Sequence, residues 1–218
     1  MSEINLLDKY PKIKRDLSKA VIERTDEVRK VARKFDKEFF DGDRKFGYGG
    51  YNYNPIYWTE VIKDFVKYYD LKDGSKILDV GCGKGFMMFD FLRKNSKLKI
   101  AGIDISEYCH LNTLSNVKPY CQVGSCESLP WRDASFDLVI SIATIHNLNF
   151  SGVEKSLREI VRVTKKDAFI KVNGYKTNEE KKRLAGWNIV AETILHEDEW
   201  LELFQKVGYI YDYEFFVP

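Results

Sequence analysis

Three observations predict an α/β fold, a doubly wound and mostly parallel sheet held between two layers of helices. Short apolar runs recur at Ile77–Val80, Ile100–Ile103, Ser135–Ile142 and Ala168–Val172. Stretches of helical apolar spacing separate them, the pattern of strands joined by crossover helices. The first run leads through glycines at 81, 83 and 85 into Phe86–Leu92, which has helical spacing. A strand, a glycine turn and a helix in that order make a nucleotide-type site. Glycine takes the backbone angles of a tight turn and lets a ligand approach, and the helix start offers N–H groups to ligand oxygens. A dinucleotide fingerprint places glycine or alanine at position 86; Phe86 stands there and argues against a dehydrogenase.

The length of 218 residues fits one domain, or one domain with a small appendage. With 35 basic and 33 acidic residues the formal charge is +2, short of the basic excess that a protein living on nucleic-acid phosphates carries. Met1–Tyr10 lacks a signal-peptide core, and no later run is long enough to span a membrane. The cysteines at 82, 109, 121 and 126 form no Cys-x-x-Cys pair and have no histidine at ligand spacing. Free thiols, no metal site and a reducing cytoplasm are the expectation.

Along the chain, residues 5–40 read as helical, with Leu17, Val21, Val28, Val31 and Phe35 apolar and Pro11 dividing two helices. The alternating charges from Glu23 to Lys37 read as a solvated face. Phe46–Pro55, rich in glycine and tyrosine, is a loop. It is either a surface turn packed on the core or a lid over a ligand, in which Tyr48 and Tyr51 offer ring faces to a cation. Arg44 and Lys45 precede it. These readings divide the chain into a helical and lid segment, 1–55, and a main domain, 56–218. Tyr57–Leu71 is an amphipathic helix, and Asp73-Gly74 a turn before the first strand.

The second strand ends in Asp104, and a carboxylate there suits the two hydroxyls of a ribose; as a helix cap, Ser106 would serve better. After the strand 135–142, His146 falls where a parallel sheet opens its ligand crevice, the mouth at which a base is needed. Val153–Lys165 is a helix, and Asn173-Gly174-Tyr175 close the next strand. Thr177–Ile194 is the least readable stretch and reads as a substrate-side insertion. Glu197–Val207 is the last helix, ended by Gly208, with His196 beside its start; Tyr209–Val217 is strand-like.

The run Asp79-Val-Gly-Cys-Gly-Lys-Gly85 resembles motif I of the class I S-adenosylmethionine (SAM)-dependent methyltransferases. Asp104-Ile105-Ser106 is similar to their motif II, Phe136-Asp-Leu-Val139 to motif IV, and Leu157–Val163 to the helix before strand five. Cys121–Trp131 resembles the segment that holds the adenine, with Ser125 where the family has an aspartate. The usual Pro-Gly-Gly turn is replaced by Lys165-Lys166-Asp167. The ordered set covers roughly residues 56–173.

This resemblance implies a three-layer Rossmann-like sheet with an N-terminal helical lid, and SAM as cofactor without a metal. It implies cofactor contacts from Tyr48, Asp79, Gly81, Cys82, Gly83, Asp104, Ile105, Ser125, Cys126, Glu127 and Ser141. His146 becomes the candidate general base, and Tyr51, Asn173, Tyr175 and His196 the candidate acceptor contacts. Family members close with a two-strand hairpin, for which few residues remain here. The implied activity is methyl transfer to a small hydrophilic acceptor, anionic or sugar-like, at oxygen. The wording Ile140-Ser-Ile-Ala-Thr-Ile-His146 is also similar to the wobble-uridine tRNA methyltransferases, which leaves a tRNA acceptor as the alternative. A non-catalytic SAM-binding module is a third reading.

Overall fold

The computed structural model describes residues 1–12 and 23–218. Leu17 and Val21, expected on an N-terminal helix, lie outside the described residues. The N-terminal part holds α1 (Asp26–Ala32) and α2 (Lys37–Phe40). Thr25 and Asp36 cap them, each side chain accepting a backbone N–H of the first turn. Then follow α3 (Pro55–Tyr68), β1 (Lys76–Val80), α4 (Phe86–Lys94), β2 (Lys99–Asp104), α5 (Glu107–Leu111) and β3 (Cys121–Val123). The rest comprises β4 (Phe136–Ile142), α6 (Phe150–Val163), β5 (Thr164–Tyr175), α7 (Asn178–Trp187), β6 (Leu195–His196), α8 (Glu197–Val207) and β7 (Asp212–Phe216).

The sheet runs β3-β2-β1-β4-β5, and both β6 and β7 pair with β5. Every pairing of these strands is parallel. Parallel neighbours need crossovers, so helices cover both faces, and the strands read as nearly unbroken apolar runs. One face buries Leu78, Val80, Val139, Ile170 and Val172 under α6 and α8; the other buries Ile77, Leu138, Ile140 and Phe169 under α3 and α4. The two-residue period along each strand sorts these side chains. All strands point the same way, so their carboxyl ends, and the turns that follow, share one edge.

Two local expectations are corrected. Lys165-Lys166-Asp167 is not a turn: β5 starts at Thr164, directly after α6. The register passes from Phe136↔Thr164 to Leu138↔Asp167, so three steps on β5 match two on β4, and a bulge absorbs the missing turn. The chain also does not close with a hairpin. The last helix carries it back across the sheet, and β7 runs parallel to β5, from Phe169↔Asp212 to Asn173↔Phe216. Glu3 bridges to Tyr213 on β7.

Candidate functional site

The edge of the sheet is built around the turn after β1. Gly81, Gly83 and Gly85 have φ of 90°, 53° and 77°, the left-handed region that side chains avoid. Gly81 is doubly constrained, because a Cβ there would collide with the Thr144 side chain. At the end of β2, Asp104 accepts the Gly83 N–H at 2.7 Å and the Ser106 N–H at 2.9 Å. The turn and the second strand are thereby locked together. Ser106, as the capping argument anticipates, accepts the Cys109 N–H and starts α5.

Asp79 and Asp104 make this edge electrostatically unusual. Burial pushes the Asp79 carboxyl up to about 8, and the charge of Asp104 adds to the effect. Burial also raises Asp104, against the two backbone N–H groups that favour its charge. No cation among the described residues offsets Asp79. A buried and a half-buried carboxylate at the end of apolar strands fit a ligand that carries positive charge. Beside them Ile105 is 58% exposed, an apolar surface open to a flat partner. Cys82 is tied into the turn, its carbonyl accepting the Gly85 N–H. Its thiol points into the core, within 2.8 Å of where a Gly102 Cβ would stand, and its N–H is taken by the Ile103 carbonyl.

The adenine-side candidates lie together between β3 and the first turns of α6. Ser125 Oγ accepts the Glu127 N–H, Ser156 Oγ donates to Cys126 Sγ, and Glu127 faces Lys155 at 3.6 Å. Ser141 is buried in β4, and its hydroxyl has no partner. His146 follows β4 as expected, in a short 3-10 turn, but the mouth is covered. His146 is 4% exposed, and residues 192 and 193 donate their N–H groups to its carbonyl. Burial lowers its pKa to about 4, so the imidazole is neutral, and its Nδ1 has no partner. Just before it Ala143 is held at φ 54°, a strained angle for a residue with a Cβ.

The acceptor-side candidates separate. Asn173 is buried, its carbonyl taken by Trp200 Nε1 and its Nδ2 unpartnered. Tyr175 meets the His196 ring edge-on at 5.4 Å, and the Lys181 ammonium lies 5.1 Å from its ring centroid. His196 caps α8: its Nδ1 accepts the Asp198 N–H, while Glu199 returns a bond to its own N–H. Tyr51 lies against the glycine turn instead, 4.7 Å from Phe86 and 4.5 Å from Tyr48 between ring centroids. A Cβ on Gly83 would stand 3.2 Å from its hydroxyl.

This geometry has counterparts in known proteins. Residues 78–172 match the family described as Methyltransferase domain. The match covers less than half of the chain, and over those residues the chain is similar to a methyltransferase domain. The chain is 31% identical over 134 residues to the "Probable tRNA methyltransferase 9B" of Mus musculus, which covers 57% of this chain and 28% of that protein. It is 33% identical over 112 residues to the phosphoethanolamine N-methyltransferase of Triticum aestivum, covering 47% of this chain and 21% of that protein. The chain thus spans well under half the length of these two relatives. Among solved structures, the complex of the Haloferax volcanii Trm112 methyltransferase activator with a methyltransferase matches at a TM-score of 0.52 and 23% identity, over 66% of each chain. That likeness shows the fold.

Outside the matched residues, two segments cover the edge, and sequence reasoning misread one of them. The charges from Glu23 to Lys37 are not simply a solvated face. Arg29 donates to the carbonyls of Asn188 (2.8 Å) and Ala185 (3.3 Å), Arg24 to that of Gly186, and Arg33 to those of Val190 and Ala191. Several of these carbonyls lie at the C-terminus of α7, where helical partners run out and cations are favoured. Ile189 and Val190 join Ala32, Phe35, Phe39, Phe40, Tyr51 and Tyr108 in one apolar cluster. Residues 24–40 and the segment that ends α7 thus pack as one unit. The sequence reading also missed Asp41, Thr144 and Lys84; Lys84 was visible inside the motif, but nothing local pairs it with Asp41.

Proposed function

We propose that the chain transfers a methyl group from SAM to an oxygen of a small hydrophilic acceptor. The observation that carries the SAM half is the pair of carboxylates at the glycine turn, Asp79 buried and Asp104 half-buried, with no cation of the described residues beside Asp79. Asp79 would face the cationic methionine end, Gly81 and Gly83 would let the ligand reach the backbone, and Asp104 would accept hydrogen bonds from the ribose hydroxyls. Ile105 would cover one face of the base, and the segment Ser125–Glu127 its edge. SAM bound there supplies an activated methyl group on a sulfonium. No cluster of three metal-ligating side chains occurs among the described residues.

The chain's own contribution is alignment and exclusion of water. Residues 24–55 act as a lid, with Tyr51 against the glycine turn and Tyr48 packed on Tyr51, and the arginine contacts hold the segment around α7 down beside it. His146 stays neutral throughout the physiological range, and its unpartnered Nδ1 takes a hydrogen bond from the acceptor hydroxyl; Asn173 Nδ2 orients the acceptor from β5. A covered edge and a near-neutral charge favour a small molecule over a folded RNA.

A second reading, methylation of tRNA, is favoured by the mouse relative named as a tRNA methyltransferase and by a plant relative named tRNA (carboxymethyluridine(34)-5-O)-methyltransferase, 32% identical over 111 residues. On that reading an activator of the Trm112 kind would be a partner to test. Incubation with methyl-labelled SAM and either a small-metabolite fraction or bulk tRNA separates the two. Label in the small fraction alone supports the first reading. Label in tRNA, alone or on addition of a Trm112-type activator, replaces it with the second.

A further inference from the structure

Lys84 poses a problem for a site that must receive a cation. It lies inside the glycine turn, next to Gly83, whose N–H is bonded to Asp104. Its side chain is only 7% exposed. A buried ammonium on the residue after Gly83 would be expected to pair with the Asp104 carboxylate that Gly83 itself bonds, because isolated charges in a protein interior are costly. It is turned away instead. Its Nζ lies 2.6 Å from Asp41 Oδ2 and 2.8 Å from the Tyr51 carbonyl. The rings of Tyr51 and Tyr108 flank it at 5.8 and 5.5 Å, in the arrangement that stabilises a cation over aromatic faces.

Asp41 is the hub of this arrangement. Besides Lys84, its carboxylate accepts the Tyr108 hydroxyl at 2.6 Å and the Tyr51 N–H at 2.7 Å. Burial alone would push this carboxyl up, but the bonds from Lys84, Tyr108 and Tyr51 outweigh it and leave the group below its usual range. Asp41 is thus charged at neutral pH and matches the ammonium. It belongs to the N-terminal cover, outside the matched domain, and reaches a turn 43 residues away.

We infer that Asp41 is a positioning residue for cofactor binding: it holds the Lys84 ammonium away from Asp104 and Asp79, which leaves Asp79 to the cation of SAM and Asp104 to its ribose hydroxyls. This rests on the SAM reading above. With Asp41 neutralised, Lys84 loses its anion and is free to turn toward Asp104, whose bond to the neighbouring Gly83 N–H keeps it close by. The ligand then has to displace an internal cation.

The test is SAM binding by calorimetry to the full chain and its variants. Asp41→Asn keeps an acceptor for the Tyr51 N–H but removes the charge, and it should weaken SAM binding about tenfold, within the range of coupling between neighbouring charged groups. Adding Lys84→Met to that variant removes the competitor and should restore affinity to within about threefold of the unaltered chain. A cover that merely needs Asp41 for its structure would leave the double variant as weak as the single one, and that result overturns the inference. Unchanged binding in Asp41→Asn also overturns it. If Asp41→Asn does not fold, Lys84→Met alone carries the test. Affinity within about threefold supports the inference, and a loss of tenfold or more contradicts it, because Lys84 would then be needed by the ligand itself. Failure of the unaltered chain to bind SAM is a separate result and strikes the underlying reading.

Discussion

The glycine turn and the N-terminal cover meet at Lys84, but they are held together by different kinds of contact. The turn is local. Asp79, Gly81, Gly83 and Asp104 are placed by strand ends whose partners lie in register on one parallel sheet, so a short sequence motif carries its own geometry. The cover is assembled from afar. Arg29 and Ala185 are 156 residues apart, and Asp41 and Lys84 are 43 apart. The cover consists of charged side chains that reach backbone carbonyls, with a small aromatic cluster beneath. The turn lies within the residues that match the methyltransferase domain, while the segments 24–41 and 185–191 that make the cover lie outside them.

The comparison can be broken most severely at Asp104. Asp104→Ala removes the bonds to Gly83 and Ser106 together with one of the two carboxylates. It is expected to weaken SAM binding by roughly 100-fold, the loss typical of deleting a buried charged partner. Calorimetry checks it, and a loss under about threefold would remove Asp104 from the site. At His146 the effect should fall on turnover. His146→Ala is expected to slow methyl transfer by roughly 10- to 100-fold with SAM affinity within about twofold, as for an orienting group. Because its pKa lies near 4, the unaltered chain's rate should show no inflection from His146 between pH 6 and 8. An equal loss of binding in the two variants would contradict the division of roles.

A subtler effect comes from Asp79. Its carboxyl titrates at about 8 in the ligand-free protein, so at neutral pH it is mostly protonated. A cationic ligand prefers the charged form. SAM affinity should therefore fall as pH drops below 8, by up to about tenfold per unit, with a proton released on binding. The sign for stability is opposite. A folded-state pKa above the unfolded value favours the fold at low pH, and this contribution is lost as pH rises from the ordinary carboxylate range through 8. Thermal melting of the ligand-free protein across that window reads it. Melting that improves steadily with pH would contradict the burial of Asp79.

The smallest expected change tests the cover. Arg29→Ala deletes two bonds to carbonyls near the end of α7 and should cost about 1–2 kcal/mol, a few degrees of melting temperature. SAM affinity should stay within about twofold, since Arg29 contacts neither the turn nor Asp41. A full loss of SAM binding would mean that the cover and the turn form one unit rather than two.

What the sequence made legible follows the same division. The strand runs at 77–80 and 100–103, the helix at 197–207 and its stop at Gly208 were readable, because periodicity and capping are local signals. The turn residues were readable from glycine spacing. His146 was placed correctly along the chain, after β4, but its burial was not foreseen, because the segment that covers it comes from residues 192–193. The arginines at 24, 29 and 33 looked solvated, since alternating charge on a helix gives no sign of a distant row of carbonyls. The bulge that replaces the expected turn at 165–167, and the parallel course of β7, depend on strand register, which no local pattern encodes.

The most direct measurement is calorimetric titration of the full chain with SAM at pH 6.5 and pH 8.5, each in two buffers of different ionisation enthalpy. Saturable binding that is clearly tighter at pH 8.5, with a buffer-dependent heat that reports proton release, is the expected result. Absence of binding at both pH values would contradict the assignment of the glycine turn and its two carboxylates to SAM.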